Sequence, residues 1–225
     1  MHTTSKHFLT NTAASNTLDG LRPPISSSDE IRAMKYNKLT RWLHAGIALG
    51  VTLQLLLSLV METPRPGRPF GGLEAAAFES HEVIGLFVFG VLLLHWIFLL
   101  SGHVRLGREH LFPWFSRQRR DDIIDEIKQQ WVRRRFDDTQ QVSGLAGATH
   151  GLGLLVTSVM ATTGIIVYFG MAENGAMPPV VDLIKETHGF FATFMWIYLA
   201  GHAGVGMLHQ WLGHRTVSDM FDLRK

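Results

Sequence analysis

Cysteine is absent from the 225 residues. Its absence excludes disulfides, iron–sulfur ligation, thiolate zinc sites and covalent attachment of c-type haem. Charge is also scarce: Asp, Glu, Lys and Arg make up 18% of the chain, and a formal net charge of +2 gives no basis for binding nucleic acid. The N-terminal stretch has no continuous apolar core, so it does not read as a secretory signal. Its Ser, Thr, Asn and Pro content reads as a flexible arm over residues 1–35. What is plentiful is apolar sequence, in long blocks, and histidine, of which there are 12. With no thiol, any metal chemistry must rest on imidazole, carboxylate or thioether.

Four segments are apolar over the ~20 residues that a helix needs to cross a bilayer: 43–61, 81–100, 150–169 and 188–211. In water, four such helices would leave too little amphipathic structure to cover them. The expected fold is therefore an all-α integral membrane protein, a bundle of four transmembrane helices. Of the 21 Lys and Arg, 18 lie in the N-terminal arm, the loop 101–149 and the C-terminal tail, which leaves Arg65, Arg68 and Lys185 on the opposite face. By the positive-inside rule both termini and the long loop are expected in the cytoplasm. The membrane domain covers 36–215 and the tail 216–225. Within the loop, Ile123, Ile124, Ile127 and Trp131 recur at helical spacing among charges. That pattern predicts an amphipathic helix over about 117–136, lying on the membrane surface or the bundle, with a partner-docking helix as the alternative.

Ionisable residues inside spans are functional candidates by default, because their burial in hydrocarbon is unfavourable without compensation. His81 and His188 open the second and fourth spans at the outer face. His95 and His202 each follow by fourteen residues, ~21 Å deeper at 1.5 Å per residue. Fourteen residues return a helix to within roughly 40° of its starting direction, so His188 and His202 share a face, two levels apart. That arrangement suits two stacked ligand sites in a bundle core. Zinc wants four ligands, commonly with Cys or carboxylate. Haem needs only two axial imidazoles and an apolar slot for a flat ring. Gly85, one turn after His81, and Gly189, Gly201, Gly204 and Gly206 would make room for ring edges; close helix packing is the competing explanation. The outer site has two candidates, His81 and His188. The inner half has four, His44, His95, His150 and His202, and depth does not choose among them.

Four motifs in order carry a resemblance: "YNKLTRWLHAG" at the first span, "HEVIG" at the second, "GLAGATHGLGLL" at the third and "THGFFATFMWIYLAGHAGVGMLHQW" at the fourth. Over residues 36–215 the chain resembles the bacterial cytochrome b561 family, which is related to the cytochrome b subunits of formate dehydrogenases and nickel–iron hydrogenases. The resemblance implies two non-covalent b haems with bis-imidazole ligation, His81 and His188 holding the outer and His44 and His202 the inner. Ala45 stands where the family often has Trp, and the cytoplasmic loop is longer than in stand-alone members.

The resulting expectation is a dihaem cytochrome of the bacterial inner membrane, relaying electrons between quinone and a redox partner or substrate on the periplasmic side. It would act as an electron-transfer component or subunit of a quinone-linked oxidoreductase. Its expected partners are membrane lipid, quinone and a periplasmic oxidoreductase subunit or cytochrome c, with a homodimer as an option. Arg41, His95, His150, His209 and Gln210 are candidate quinone, proton or propionate contacts; helix-neighbour bonding, interfacial polarity or charge anchoring would equally account for them. Two other classes stay open: a free-standing oxidoreductase acting on a small molecule at the outer haem, and a haem or metal carrier without redox turnover.

Overall fold

A computed structural model describes residues 38–101, 111–133, 144–213 and 216–221. Residues 1–37, 102–110 with His103 and His110, 134–143, 214–215 with His214, and the last four residues lie outside the described residues. Every regular element among the described residues is helical. In order they are α1 (Lys38–Leu57), α2 (Gly72–Leu100), a 3-10 turn (Pro113–Phe115), α3 (Arg117–Arg133), α4 (Gly144–Gly170), α5 (Pro179–Trp211) and α6 (Thr216–Phe221).

Three of these helices, α2, α4 and α5, are long and apolar enough to cross a membrane. The fourth expected span corresponds to α1, whose 20 residues include Arg41, His44 and Gln54 and which falls outside that set. It ends at Leu57 rather than near residue 61. The Ser58 hydroxyl donates to the Leu55 carbonyl at 2.7 Å, Leu59 and Val60 close tight turns onto Leu56 and Leu57, and Pro64 follows. The other helices outrun their apolar cores. Both α2 and α5 begin nine residues before their histidines, at Gly72 and Pro179, an overhang of ~13 Å at 1.5 Å per residue. The Ala-rich start of α2 has high helix propensity and carries Glu74 in its first turn, while α5 opens on proline and carries Asp182. Such ends are set by propensity and charge, which apolar periodicity does not report.

Large apolar side chains face outward along the bundle, among them Leu49, Phe87, Ile97 and Ile197, and few side chains are fully covered. That distribution suits lipid rather than water as the surrounding solvent. Inside, α1 packs tightly on α2, since bare Gly46 and Gly50 receive Val91 and Val88; a Cβ at Gly50 would collide with Val88. Joining α2 to α4 are a core of Leu92, Leu99 and Leu154 and a bond from Trp96 Nε1 to Ser158 Oγ at 3.0 Å. The α4–α5 interface is also extensive. By contrast α1 barely touches α5, and α2 and α5 share no substantial contact among the described residues. The bundle is thus two tight pairs hinged along α2 and α4, with α5 standing off from α1 and α2.

The loops that join α1 to α2 and α4 to α5 meet where Gly175, at φ 80°, lies against the Pro64 carbonyl; a side chain there would collide with it. At the opposite end α3 rests on the bundle. Its Ile123 touches Gly144, and Glu126 Oε2 accepts the Leu145 N–H at 3.2 Å, capping the first turn of α4. Ile124 and Ile127 are each nearly half exposed. The helix ends at Arg133 in the described residues, and the Trp131 side chain lies outside them. Short α6 tucks beneath α5, the Ser218 N–H donating to Gln210 Oε1 at 3.2 Å.

Candidate cofactor site

Two groups of imidazoles line the gap beside α5, one at each level. The upper pair, nearer the Pro64 and Gly175 loops, is His81 on α2 and His188 on α5, with ring centroids 6.3 Å apart. His188 lies against Gly164 of α4, where a Cβ would approach its Cε1 to 3.3 Å. Its Nδ1 meets Thr163 Oγ1 at 2.9 Å. Beside His81, Gln54 reaches across from α1 and donates from Nε2 to the His81 carbonyl at 2.8 Å. Gly85 makes room for that amide: a Cβ there would stand 2.7 Å from Gln54 Nε2. His81 Nδ1 and Gln54 Oε1 are both buried with no hydrogen-bond partner.

The upper pair opens into an apolar cavity of about 150 Å³, lined also by Gln54, Gly85, Thr157, Tyr168, Lys185 and Met195. At ~24 cal/mol per Å³, a void of that size left unfilled would cost roughly 3–4 kcal/mol. An apolar ligand of flat outline removes that cost.

The lower cluster holds His44 of α1, His150 of α4 and His202 of α5, with one ligand atom from each lying within 4.8 Å of the others. Ring centroids are 6.3 Å apart for His44–His202 and for His44–His150, and 5.0 Å for His150–His202. His150 Nδ1 sits 2.7 Å from the Ala146 carbonyl. A carbonyl only accepts, so this nitrogen carries the proton and Nε2 is the unprotonated one. His95, from α2, lies within electrostatic reach of His44 and His150, and its Nδ1 is buried without a hydrogen-bond partner. Each of the four long helices therefore contributes one imidazole at this level. Tyr198 stacks on His202 at 5.4 Å and 8°, and Phe221 of α6 meets His44 edge-on at 5.9 Å.

The remaining candidates scatter. Arg41 is one turn before His44 and half-buried, His209 is half-buried in the last turn of α5, and Gln210 is exposed and holds α6. Thr163, Gln54, Tyr198 and Phe221 had no sequence signal beyond their positions. Their importance comes from helix rotation, which places them against the histidines.

The chemistry these donors allow follows from their spacing. Two imidazoles on one iron, with metal–nitrogen bonds of ~2.0 Å and each ring centre about 1.1 Å behind its nitrogen, place their centroids roughly 6 Å apart. His81–His188, His44–His202 and His44–His150 all have that separation, and each spans a helix pair with few or no backbone contacts, so at the lower level spacing leaves both His202 and His150 as partners of His44. The upper level adds a cavity, so the residues there fit a haem. At the lower level the donors fit, while His150, Tyr198 and Phe221 crowd the space around them. The sequence profile of prokaryotic cytochrome b561 matches residues 35–222. The chain belongs to that family. It is accordingly a membrane b-type cytochrome of electron transfer, and the histidines are available for haem b. No curated protein and no solved structure matched the chain.

Proposed function

We propose that this cytochrome b561 chain crosses the membrane four times, with α1 as the first span, and carries two b haems. His81 and His188 hold one haem on the periplasmic side; His44 and His202 hold the other on the cytoplasmic side. Both termini and α3 face the cytoplasm of a bacterium, as the Lys and Arg distribution favours. The chain relays electrons between quinone and a periplasmic redox partner or substrate. The observation that carries this reading is the repetition of one imidazole separation, 6.3 Å, at two levels of α5 fourteen residues apart.

Haem b, when bound, supplies a one-electron iron couple. His81 with His188, and His44 with His202, would hold the iron through imidazole, which would favour electron transfer over binding of an external ligand. Apolar faces of α2, α4 and α5 keep water from the ligand atoms. His95 and His150 stand at the lower level, and Arg41, His209 and Gln210 lie separately toward the same end of the bundle, where quinone chemistry, which moves protons with electrons, would be served.

Haem content and reduced-minus-oxidised spectra of purified variants test the assignment. Wild-type protein is expected to hold two haems per chain, and His81→Ala or His188→Ala to hold one. His44→Ala and His202→Ala should lose the other, while His150→Ala and His95→Ala keep both. A wild-type count near one, unchanged by loss of His81 or His188, removes the upper site; retention of both haems in His44→Ala moves the lower ligand to His150 or His95.

A further inference from the structure

The hydroxyl of Thr163 has three neighbours and a single proton. Its Oγ1 lies 2.7 Å from the Val159 carbonyl, 3.1 Å from the Met160 carbonyl and 2.9 Å from His188 Nδ1. A hydroxyl donates once and accepts twice, and carbonyl oxygens only accept. An oxygen–oxygen approach of 2.7 Å holds a proton between the atoms, so the Thr163 proton goes back to its own helix, shared between the two carbonyls. The remaining contact then has one solution: His188 Nδ1–H donates and Thr163 Oγ1 accepts, with the Met160 backbone as a second acceptor beside the ring. In neutral histidine a proton on Nδ1 leaves the lone pair on Nε2. The imidazole facing His81 is thus fixed in the tautomer that binds a metal through Nε2.

Gly164, the next residue of α4, makes the contact geometrically available. Its missing side chain lets the His188 ring lie at 3.3 Å from the Cβ position, flat enough against α4 for Nδ1 to reach the hydroxyl. The partner histidine has no such hydroxyl: its Nδ1 is buried, and the polar group near its ring is the Gln54 backbone of α1. The two ligands of the upper pair are therefore unequal, and α4 supports only one of them.

We infer that Thr163 is a positioning residue for the upper haem: it sets the tautomer and orientation of His188 and strengthens its donation to iron. This inference rests on the proposed haem between His81 and His188. A metal-bound histidine commonly gives its second N–H to such an acceptor, which raises its basicity. A more basic ligand favours ferric over ferrous iron, so loss of the acceptor raises the reduction potential of that haem alone.

The test is potentiometric titration and low-temperature EPR of the haem-loaded membrane protein, comparing wild type with Thr163→Val and Thr163→Ser. Valine keeps the β-branched shape and removes the oxygen. Thr163→Val is expected to move the upper-haem midpoint upward by up to about tenfold in the ferric/ferrous equilibrium, which is 59 mV for one electron. It should also change the g-anisotropy of that ferric centre and leave the lower haem unmoved. Thr163→Ser should restore both signals. If Thr163→Val loses the upper haem, Thr163→Ser must still retain it at the wild-type midpoint. A valine variant with unchanged midpoint and g-values, or a serine variant that behaves like valine, overturns the inference. Failure of the underlying reading looks different: in that case His188→Ala leaves haem content and both midpoints as in wild type.

Discussion

Gly153 of α4 carries no side chain, and the Tyr198 ring of α5 occupies the place where one would be. In Gly153→Ala the new Cβ would start 2.7 Å from Tyr198 Cε1, and closer still to Cζ and the hydroxyl. Ordinary contact begins at 3.4 Å, so the ring must retreat by about 0.7 Å at that atom and further at its tip. Tyr198 is stacked on His202 at 5.4 Å, so its retreat disturbs the lower cluster directly. Two effects oppose each other in stability. Overpacking costs ~1–3 kcal/mol, while alanine in place of glycine gains about 1 kcal/mol of helix propensity. The expected net is a destabilisation of roughly 0–2 kcal/mol. Gly90→Ala on α2 is the control, since a Cβ there meets nothing within 4 Å. It should be neutral or gain up to about 1 kcal/mol. Thermal unfolding in detergent reads the stability, and EPR of the oxidised protein reads the two proposed haems separately. The lower-haem signal should shift in Gly153→Ala with the upper one unchanged. If Gly153→Ala gains stability as Gly90→Ala does and leaves the lower signal in place, Tyr198 is not the contact that shapes His202.

Lys185→Met removes a cation that lines the upper cavity and is paired with Asp182 at 2.8 Å; losing positive charge near that haem should lower its midpoint, and an unchanged midpoint in redox titration would show that Lys185 does not feel the iron. Glu126→Ala removes the cap on the Leu145 N–H and should cost about 0.5–2 kcal/mol. Its loss should speed proteolytic cleavage between α3 and α4 in membrane vesicles, with haem spectra preserved; a cleavage rate equal to wild type would mean that α3 is held by other contacts.

Much of the architecture could be read from residue pattern, and what escaped has definite causes. The cores of α2, α4 and α5 are continuous apolar runs, whose length against bilayer thickness is a strong signal. Their extensions are amphipathic or Ala-rich, so hydropathy misses the stretch from Gly72 and the stretch from Pro179. In α1 the ambiguity has the opposite source: Arg41, His44 and Gln54 dilute a helix that packs as tightly as the others. Depth follows from counting residues, so His81 and His188 could be matched at one level. Rotation about the helix axis relative to a neighbour does not follow from counting. That is why His44, His95 and His150 stayed level with one another in the sequence; in the structure His44 and His150 both gather around His202. It is also why Thr163 was invisible, since a threonine in an apolar helix ordinarily bonds only its own backbone.

The nine-residue overhang of α2 and α5 has a further consequence. It sets the upper histidines ~13 Å along the helix axes from the first residues of α2 and α5. In the proposed electron relay, a globular partner resting on those helix ends would keep its own redox centre at about that distance from the imidazoles, and electron tunnelling weakens steeply over such a span.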